Sequence, residues 1–266
     1  MIDRSRPPRS RDPVKTFTID KLSVRIYESV TELARDVAFL SRDYLRDVLS
    51  DRETASVILA TGNSQIEFLD VFVNSEDLDW SRIEFFHLDE YLGIDAAHPS
   101  SFRRYLRERV EKLIKPKRFH YIEGDALEPI EECDRYTKLL QARSLDLCCL
   151  GIGENGHLAF NEPSVADFHD PRLVKIVKLD IKNREQQVNN GHFLTVETVP
   201  QYAFTLTIPA ILQARKIFCL ATGKRKIQAI EQMLGGKIDT NCPASILREI
   251  PGATLFLDSA SAASFY

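Results

Sequence analysis

Three stretches of this sequence gather side chains that move protons or hold anions. In "GIGENGHLAFNEP", residues 151–163, Asn155, His157 and Glu162 follow one another closely among Gly151, Gly153 and Gly156. The glycines let a backbone turn sharply and approach a ligand. His157 exchanges protons near neutral pH, provided that a neighbour sets its tautomer and orientation. Glu162 can supply a carboxylate for that purpose and Asn155 a neutral hydrogen bond. The spacing is not the His-x-x-x-His kind, so no metal site is expected here. In "FFHLDEYLG", residues 85–93, Asp89, Glu90 and Tyr91 come directly after an apolar run. A carboxylate so placed costs desolvation unless it is hydrogen-bonded or used. Desolvation also raises its proton affinity, which suits a base that takes a proton from carbon. A helix cap or a salt-bridged turn would use the same residue types.

The third signal occurs twice. "ILATGNSQIEFL" (58–69) and "CLATGKRKIQAI" (219–230) both run from an apolar segment through Thr-Gly into a helix-forming segment. Free backbone N–H groups and a positive helix end at such a turn suit phosphate. Thr61, Ser64 and Lys226 could add contacts of their own. Either turn alone is explained by compact chain reversal. Two of them at strand ends of one sheet could face one ligand.

Those residues need a scaffold that brings strand ends together. Apolar runs at 55–61, 83–88, 145–151, 204–208, 216–222 and 253–258 read as buried strands. Helix-period segments at 30–49, 101–114, 126–143 and 224–235 lie between most of them. This alternation implies an α/β fold, Rossmann-like, with a mostly parallel central sheet covered on both faces. Ligands of such sheets bind beyond the carboxyl ends of the strands, where all three signals fall.

Composition narrows the classes. With 44% apolar and 28% charged residues, the 266-residue chain reads as an ordinary globular protein. A net charge of −4 without a concentrated basic stretch gives no nucleic-acid face. No apolar run approaches membrane-spanning length. The opening "MIDRSRPPRSRDPVK" is basic and proline-rich but has no apolar stretch, so it is not a secretory signal, and Asp3 and Asp12 argue against a transit peptide. Residues 1–18 are read as a flexible tail and 19–266 as a single α/β domain. Cys133, Cys148, Cys149, Cys219 and Cys242 show no metal or redox spacing and fit a reducing cytoplasm.

On these residues the chain resembles the glucosamine-6-phosphate deaminases. "LDEYLGIDAAHPSSF" (88–102) and "GIGENGHLAFNEP" are similar to that family's signature blocks, and "VPQYAFTLTIPAIL" (199–212) and "ATGKRKIQAI" (221–230) follow in the family's order. The similarity runs from about residue 20 to about residue 258. The related 6-phosphogluconolactonases share the glycine–His core but usually lack "FNEP" and the Asp-Glu-Tyr form. The resemblance implies that Asp89 is the general base shuttling a proton between carbons 2 and 1 of an opened amino-hexose 6-phosphate. It makes His157 the ring-opening group and Glu162 its partner. Asn155 stands where many members have Asp and others Asn. Thr61, Gly62, Asn63 and Ser64 match the phosphate loop, and Lys226 the phosphate lysine. Such a reaction uses a small amino-sugar phosphate as its partner and needs no cofactor and no metal.

The sequence also departs from the pattern. Asn63 and Gln65 replace a more familiar Gly and Pro, and Asn155 cannot carry charge. Residues 164–198 diverge most and are expected to form a lid, with Arg172, Lys175 and Arg184 as candidate phosphate cations. The amides of "NREQQVNNG" (183–191) could read sugar hydroxyls or cap a loop. The chain stops soon after its last expected strand, which argues against a hexamer built on C-terminal elements and leaves a homo-oligomer open. Two rival readings remain. A lactonase or other sugar-phosphate isomerase would not need Asp89 at carbon 2. A non-catalytic sugar-phosphate sensor would not need the Asp89–His157–Glu162 set, and no segment of the chain accommodates a DNA-binding helix pair.

Overall fold

The computed structural model describes residues 12–189 and 191–265. In chain order its elements begin with β1 (Lys15–Ile19), β2 (Leu22–Tyr27), α1 (Val30–Asp51), β3 (Ala55–Leu59), α2 (Ile66–Phe72), β4 (Ile83–His87) and β5 (Asp89–Tyr91). They continue with α3 (Phe102–Leu106), a π-helical segment over Arg107–Glu111, α4 (Lys112–Ile114), β6 (Arg118–Phe119), α5 (Pro129–Gln141) and β7 (Leu147–Gly151). The last are β8 (Val174–Lys178), α6 (Ile181–Asn189), β9 (Tyr202–Leu206), α7 (Ile208–Ile211), β10 (Lys216–Ala221), α8 (Ile227–Gly235) and β11 (Ala253–Asp258).

Eight strands form the main sheet in the order β1-β2-β11-β10-β7-β3-β4-β6. Only the β1–β2 pair is antiparallel; every other neighbouring pair is parallel. The central strands β3, β7 and β10 are mostly apolar and almost wholly buried because both faces are covered. Alternate residues go to opposite sides. Val57, Leu59, Leu147, Cys149, Phe218 and Leu220 pack on the face that carries α1 and α2. Ile58, Cys148, Leu150, Ile217 and Cys219 pack on the other. Cys148 and Cys149 therefore point apart, and all five cysteines are free and buried.

The strand order locates the crevice. From β3 the chain builds outward through β4 to β6, then returns to place β7 on the other side of β3 and builds outward again through β10 and β11. The reversal between β3 and β7 is the position at which ligands enter such sheets.

A second, three-stranded antiparallel sheet, β5-β9-β8, stands over this point. Two expectations are corrected here. The apolar run at 204–208 forms a strand at Tyr202–Leu206, but in the small antiparallel sheet and not in the parallel one. An apolar run reports burial and not its hydrogen-bonding partner, which here is the three-residue strand β5 and the half-buried β8. The tail expected over 1–18 is also too long, because Lys15–Ile19 is already strand β1, paired with β2. Residues 1–11 lie outside the described residues. The segment 164–198 carries regular structure, β8 and α6.

One buried carboxylate ties the small sheet to the helices. Glu90 is fully buried and accepts from the Ser101 hydroxyl at 2.8 Å and from the backbone N–H groups of Phe102 and Arg103 at 3.0 and 2.9 Å. It thus satisfies the open N–H groups at the start of α3. The Arg103 guanidinium lies 3.6 Å away. Glu90→Ala would leave those buried donors without an acceptor, and Arg103 with Asp125 as its remaining carboxylate partner. It is expected to lower the unfolding free energy by about 3 kcal/mol, read by urea denaturation against the parent.

Candidate active site

The loop after β7 is built around His157. The Gly153 N–H donates to the His157 carbonyl at 2.9 Å and closes a tight loop. A Cβ on Gly153 would stand 2.2 Å from the imidazole, so the ring lies flat on bare backbone. Gly156 has φ +83° and faces Cys242, leaving no room for a side chain. The "FNEP" residues then take separate tasks. Asn161 is fully buried, and its side chain donates to the carbonyls of Leu158 and Leu206 at 2.9 and 2.8 Å, pinning the turn to β9. Phe160 packs on Tyr91 and Phe102. Glu162, 5% exposed, turns back toward His157.

The hydrogen bonds fix the histidine's tautomer. Nδ1 lies 2.8 Å from Glu162 Oε1 and 2.8 Å from Asn155 Oδ1. Both are acceptors, so Nδ1 carries the hydrogen and Nε2 keeps its lone pair for a ligand. Asn155 Nδ2 in turn donates to Glu162 Oε2 at 2.5 Å. The neutral amide therefore bridges acid and base, accepting from one and donating to the other. Burial pushes the Glu162 carboxyl up, but the bonds from His157, Asn155 and Asn183 outweigh it and hold it below the usual carboxylate range.

Asp89 ends up at the same opening because Glu90, its neighbour, faces inward to α3. It is buried without a charged partner. Burial, followed by the proximity of Glu90, pushes its carboxyl up to about 8.

The two Thr-Gly turns flank this centre. Gly62 and Gly223 have φ of +107° and +83°, with open space where a Cβ would be, so conformation alone demands glycine there. The Tyr105 hydroxyl donates to Gly62 O at 3.1 Å, and Asp258 accepts from the Gly223 N–H at 3.0 Å. Burial pulls the Lys226 ammonium below its ordinary value, with Glu154 opposing.

All of this encloses one cavity of about 570 Å³ at the β3/β7 reversal. Thr61, Gly62, Asn63, Ser64, Asp89, His157 and Lys226 line it. Asn155 and Glu162 stand behind His157. Arg184 does not reach it, which corrects the expectation of a phosphate contact. Its Nη2 donates to the Val196 carbonyl at 2.5 Å. Lys175 is likewise engaged elsewhere, with Val165 O and Asp170, and Arg172 is absent from the lining. The cations that do line the cavity are Lys224, Arg225 and Lys226 on one turn. The first two adjoin Lys226 in the sequence and were legible there. Gln186 and Gln187, from the amide-rich run, also line the wall, with His192. Asn183 bonds to Glu162, a role no sequence spacing disclosed. Among the described residues no group of three His, Cys, Asp or Glu side chains could hold a metal ion.

The sequence pattern described as glucosamine-6-phosphate isomerases/6-phosphogluconolactonase matches residues 28–256. The chain belongs to this family. Its relatives include the glucosamine-6-phosphate deaminase of an Exiguobacterium species, 34% identical over 233 residues, spanning 88% of this chain and 89% of the relative. The glucosamine-6-phosphate deaminase of Listeria monocytogenes is 35% identical over 214 residues, 80% and 89% of the two chains. Among solved family structures, a monomeric glucosamine-6-phosphate deaminase superposes with a TM-score of 0.83 at 29% identity, over 91% of this chain and 99% of its own. The 6-phosphogluconolactonase of Thermotoga maritima, at 21% identity and a TM-score of 0.72 over 88% and 98%, shares the fold. The mostly parallel sheet flanked by helices is the family's architecture.

Asp89 makes stability depend on pH. Unfolded, its carboxyl ionises near 4; folded, it holds its proton to about 8. Across that window the unfolded chain binds fewer protons, so this group's contribution to stability falls as pH rises from about 4 to about 8. Asp89→Asn does not titrate. Its stability relative to the parent is expected to rise between pH 5 and pH 8 in urea melts, and a constant difference would contradict a desolvated carboxyl.

Proposed function

We propose that this chain is a glucosamine-6-phosphate deaminase, converting glucosamine 6-phosphate and water to fructose 6-phosphate and ammonia. The observation that carries the reading is the placing of a proton-hungry Asp89 and a tautomer-locked His157 in one cavity rimmed by Lys224, Arg225 and Lys226. A sensor has no use for such a pair, and hydrolysis of a lactone at carbon 1 removes no proton from carbon 2. Similarity to curated deaminases over most of the chain supports the same conclusion.

The phosphate binds at the turns of Thr61–Ser64 and Gly223–Lys226, through backbone N–H groups and the ammonium of Lys226. His157 Nε2 takes the proton of the anomeric hydroxyl and returns it to the ring oxygen, which opens the ring. Glu162 and Asn155 hold Nδ1–H throughout and stabilise the passing positive charge. Asp89 then removes the carbon-2 proton. The C2–H electrons form the C1–C2 double bond of a cis-enolamine as the carbonyl oxygen takes up a proton. Reprotonation at carbon 1 gives a 2-imine, and water adds to it and expels ammonia. A carboxylate as basic as Asp89 is far better matched to a carbon acid than one on a surface. The substrate's ammonium, arriving beside it, favours its ionised form.

We read residues 15–265 as one catalytic domain, with every group given a role supplied by a single chain, so a homo-oligomer is not required for chemistry. No helix among the described residues is long and apolar enough to cross a membrane. The five free thiols support a reducing, cytoplasmic setting.

The test is ammonia release from glucosamine 6-phosphate, coupled to detection of fructose 6-phosphate. The parent is expected to give both in equal amounts. Asp89→Asn is expected to lose about 10²–10⁴-fold in kcat with KM little changed. Hydrolysis of 6-phosphogluconolactone without ammonia release from the amino sugar would overturn the assignment.

A further inference from the structure

We infer that Asn183 of α6 is a positioning residue that holds Glu162 against His157. This rests on the deaminase reading for its consequence in catalysis, but not for its geometry. Asn183 Nδ2 donates at 2.7 Å to Glu162 Oε1, the same oxygen that lies 2.8 Å from His157 Nδ1. The opposite oxygen, Oε2, is taken by Asn155. Both carboxylate oxygens are thus fixed, one by the histidine's own loop and one by a helix that arrives 21 residues later.

The amide is held in this sense at a cost. Asn183 is 5% exposed, and its Oδ1 is buried without a hydrogen-bond partner. Turning the amide over would set that oxygen against the carboxylate. The carboxylate therefore sets the sense of the amide and keeps its donor on Glu162. Its own backbone is secured, because Asp180 accepts from the Asn183 N–H at 2.7 Å and starts the helix.

The placement on α6 adds a mechanical link. Gln186 and Gln187, three and four residues on, share the face of the helix with Asn183 and line the cavity wall. The wall that meets the sugar and the donor that steadies Glu162 are one rigid piece.

The charged groups around Glu162 are His157 from its own loop, Glu154 and Arg225 on one side, and Asp180 and Glu185 from the α6 segment. Removing the Asn183 donor leaves these three carboxyls, Arg225 and His157 in place and takes away one bond that favours ionised Glu162. Protonation of Glu162 deprives the His157 Nδ1–H of its anionic partner, so activity should fail at a higher pH on the acidic side.

The experiment compares the parent with Asn183→Leu, which has similar volume and no polar atoms, and Asn183→Asp, which sets a second carboxyl beside the first. Each is followed by urea denaturation, by kcat and KM from pH 5 to 9, and by carbon NMR of the Glu162 carboxyl through a pH titration. Asn183→Leu is expected to keep the parent's stability, lose roughly tenfold or more in kcat with KM little changed, and move the acidic limb and the Glu162 midpoint upward together. Asn183→Asp should move both further. An unchanged Glu162 midpoint in both variants overturns the inference, whatever the activity. So does a loss of stability in Asn183→Leu with full kcat, which marks a structural contact only. If the parent itself releases no ammonia, the deaminase reading fails, and the NMR titration still decides the role of Asn183.

Discussion

The constraint on which this site rests is the burial of Glu90. A carboxylate removed from water survives only if its charge is met, and Glu90 meets the first turn of α3 and Arg103. That bond set fixes β5 against the helix. Side chains alternate along a strand, so once Glu90 faces the helix its neighbour Asp89 must face the other way, into the cavity. Asp89 receives no such donors. Burial raises the proton affinity of both adjacent carboxyls, but hydrogen bonds counter it at Glu90 and none does so at Asp89. The like charge of Glu90 adds to the rise at Asp89.

The opposite wall of the cavity follows the reverse logic. Glu162 is buried too, yet its proton affinity is lowered because three donors converge on it. An ionised Glu162 keeps the His157 hydrogen on Nδ1 and the lone pair on Nε2. Asp89 and Glu162 can hold different protonation states in one site because their environments push their proton affinities in opposite directions. The asparagine at 155 is no weakness in this arrangement. It accepts from the imidazole and donates to the carboxylate, a double role that an ionised aspartate beside Glu162 could not fill.

The fold itself is common to deaminases and lactonases, as similarity at 21% identity to the Thermotoga maritima lactonase illustrates. In this chain the parallel sheet, with its reversal between β3 and β7, carries the two Thr-Gly turns and the glycine-rich loop at its strand ends. The small antiparallel sheet brings further residues to the same opening. β5 brings Asp89, and β9 anchors Asn161 and thereby Glu162.

Much of this was legible in the residues alone. The sequence determined the alternation of strands and helices, the two Thr-Gly turns, and the grouping of Asp89, His157, Asn155 and Glu162 as candidates, because each signal is local: an apolar run, a glycine requirement, or polar groups a few positions apart. Tertiary structure decided everything that depends on who meets whom. The run at 202–206 looked like its neighbours and joined a different sheet, since an apolar strand does not encode its partner. Arg184 had the right charge for phosphate and the wrong place, since its guanidinium is bonded to the Val196 carbonyl and does not line the cavity. Asn183 carried no sign of its role, because a hydrogen bond between positions 162 and 183 exists only once β8 has paired with β9 and brought α6 back over the loop.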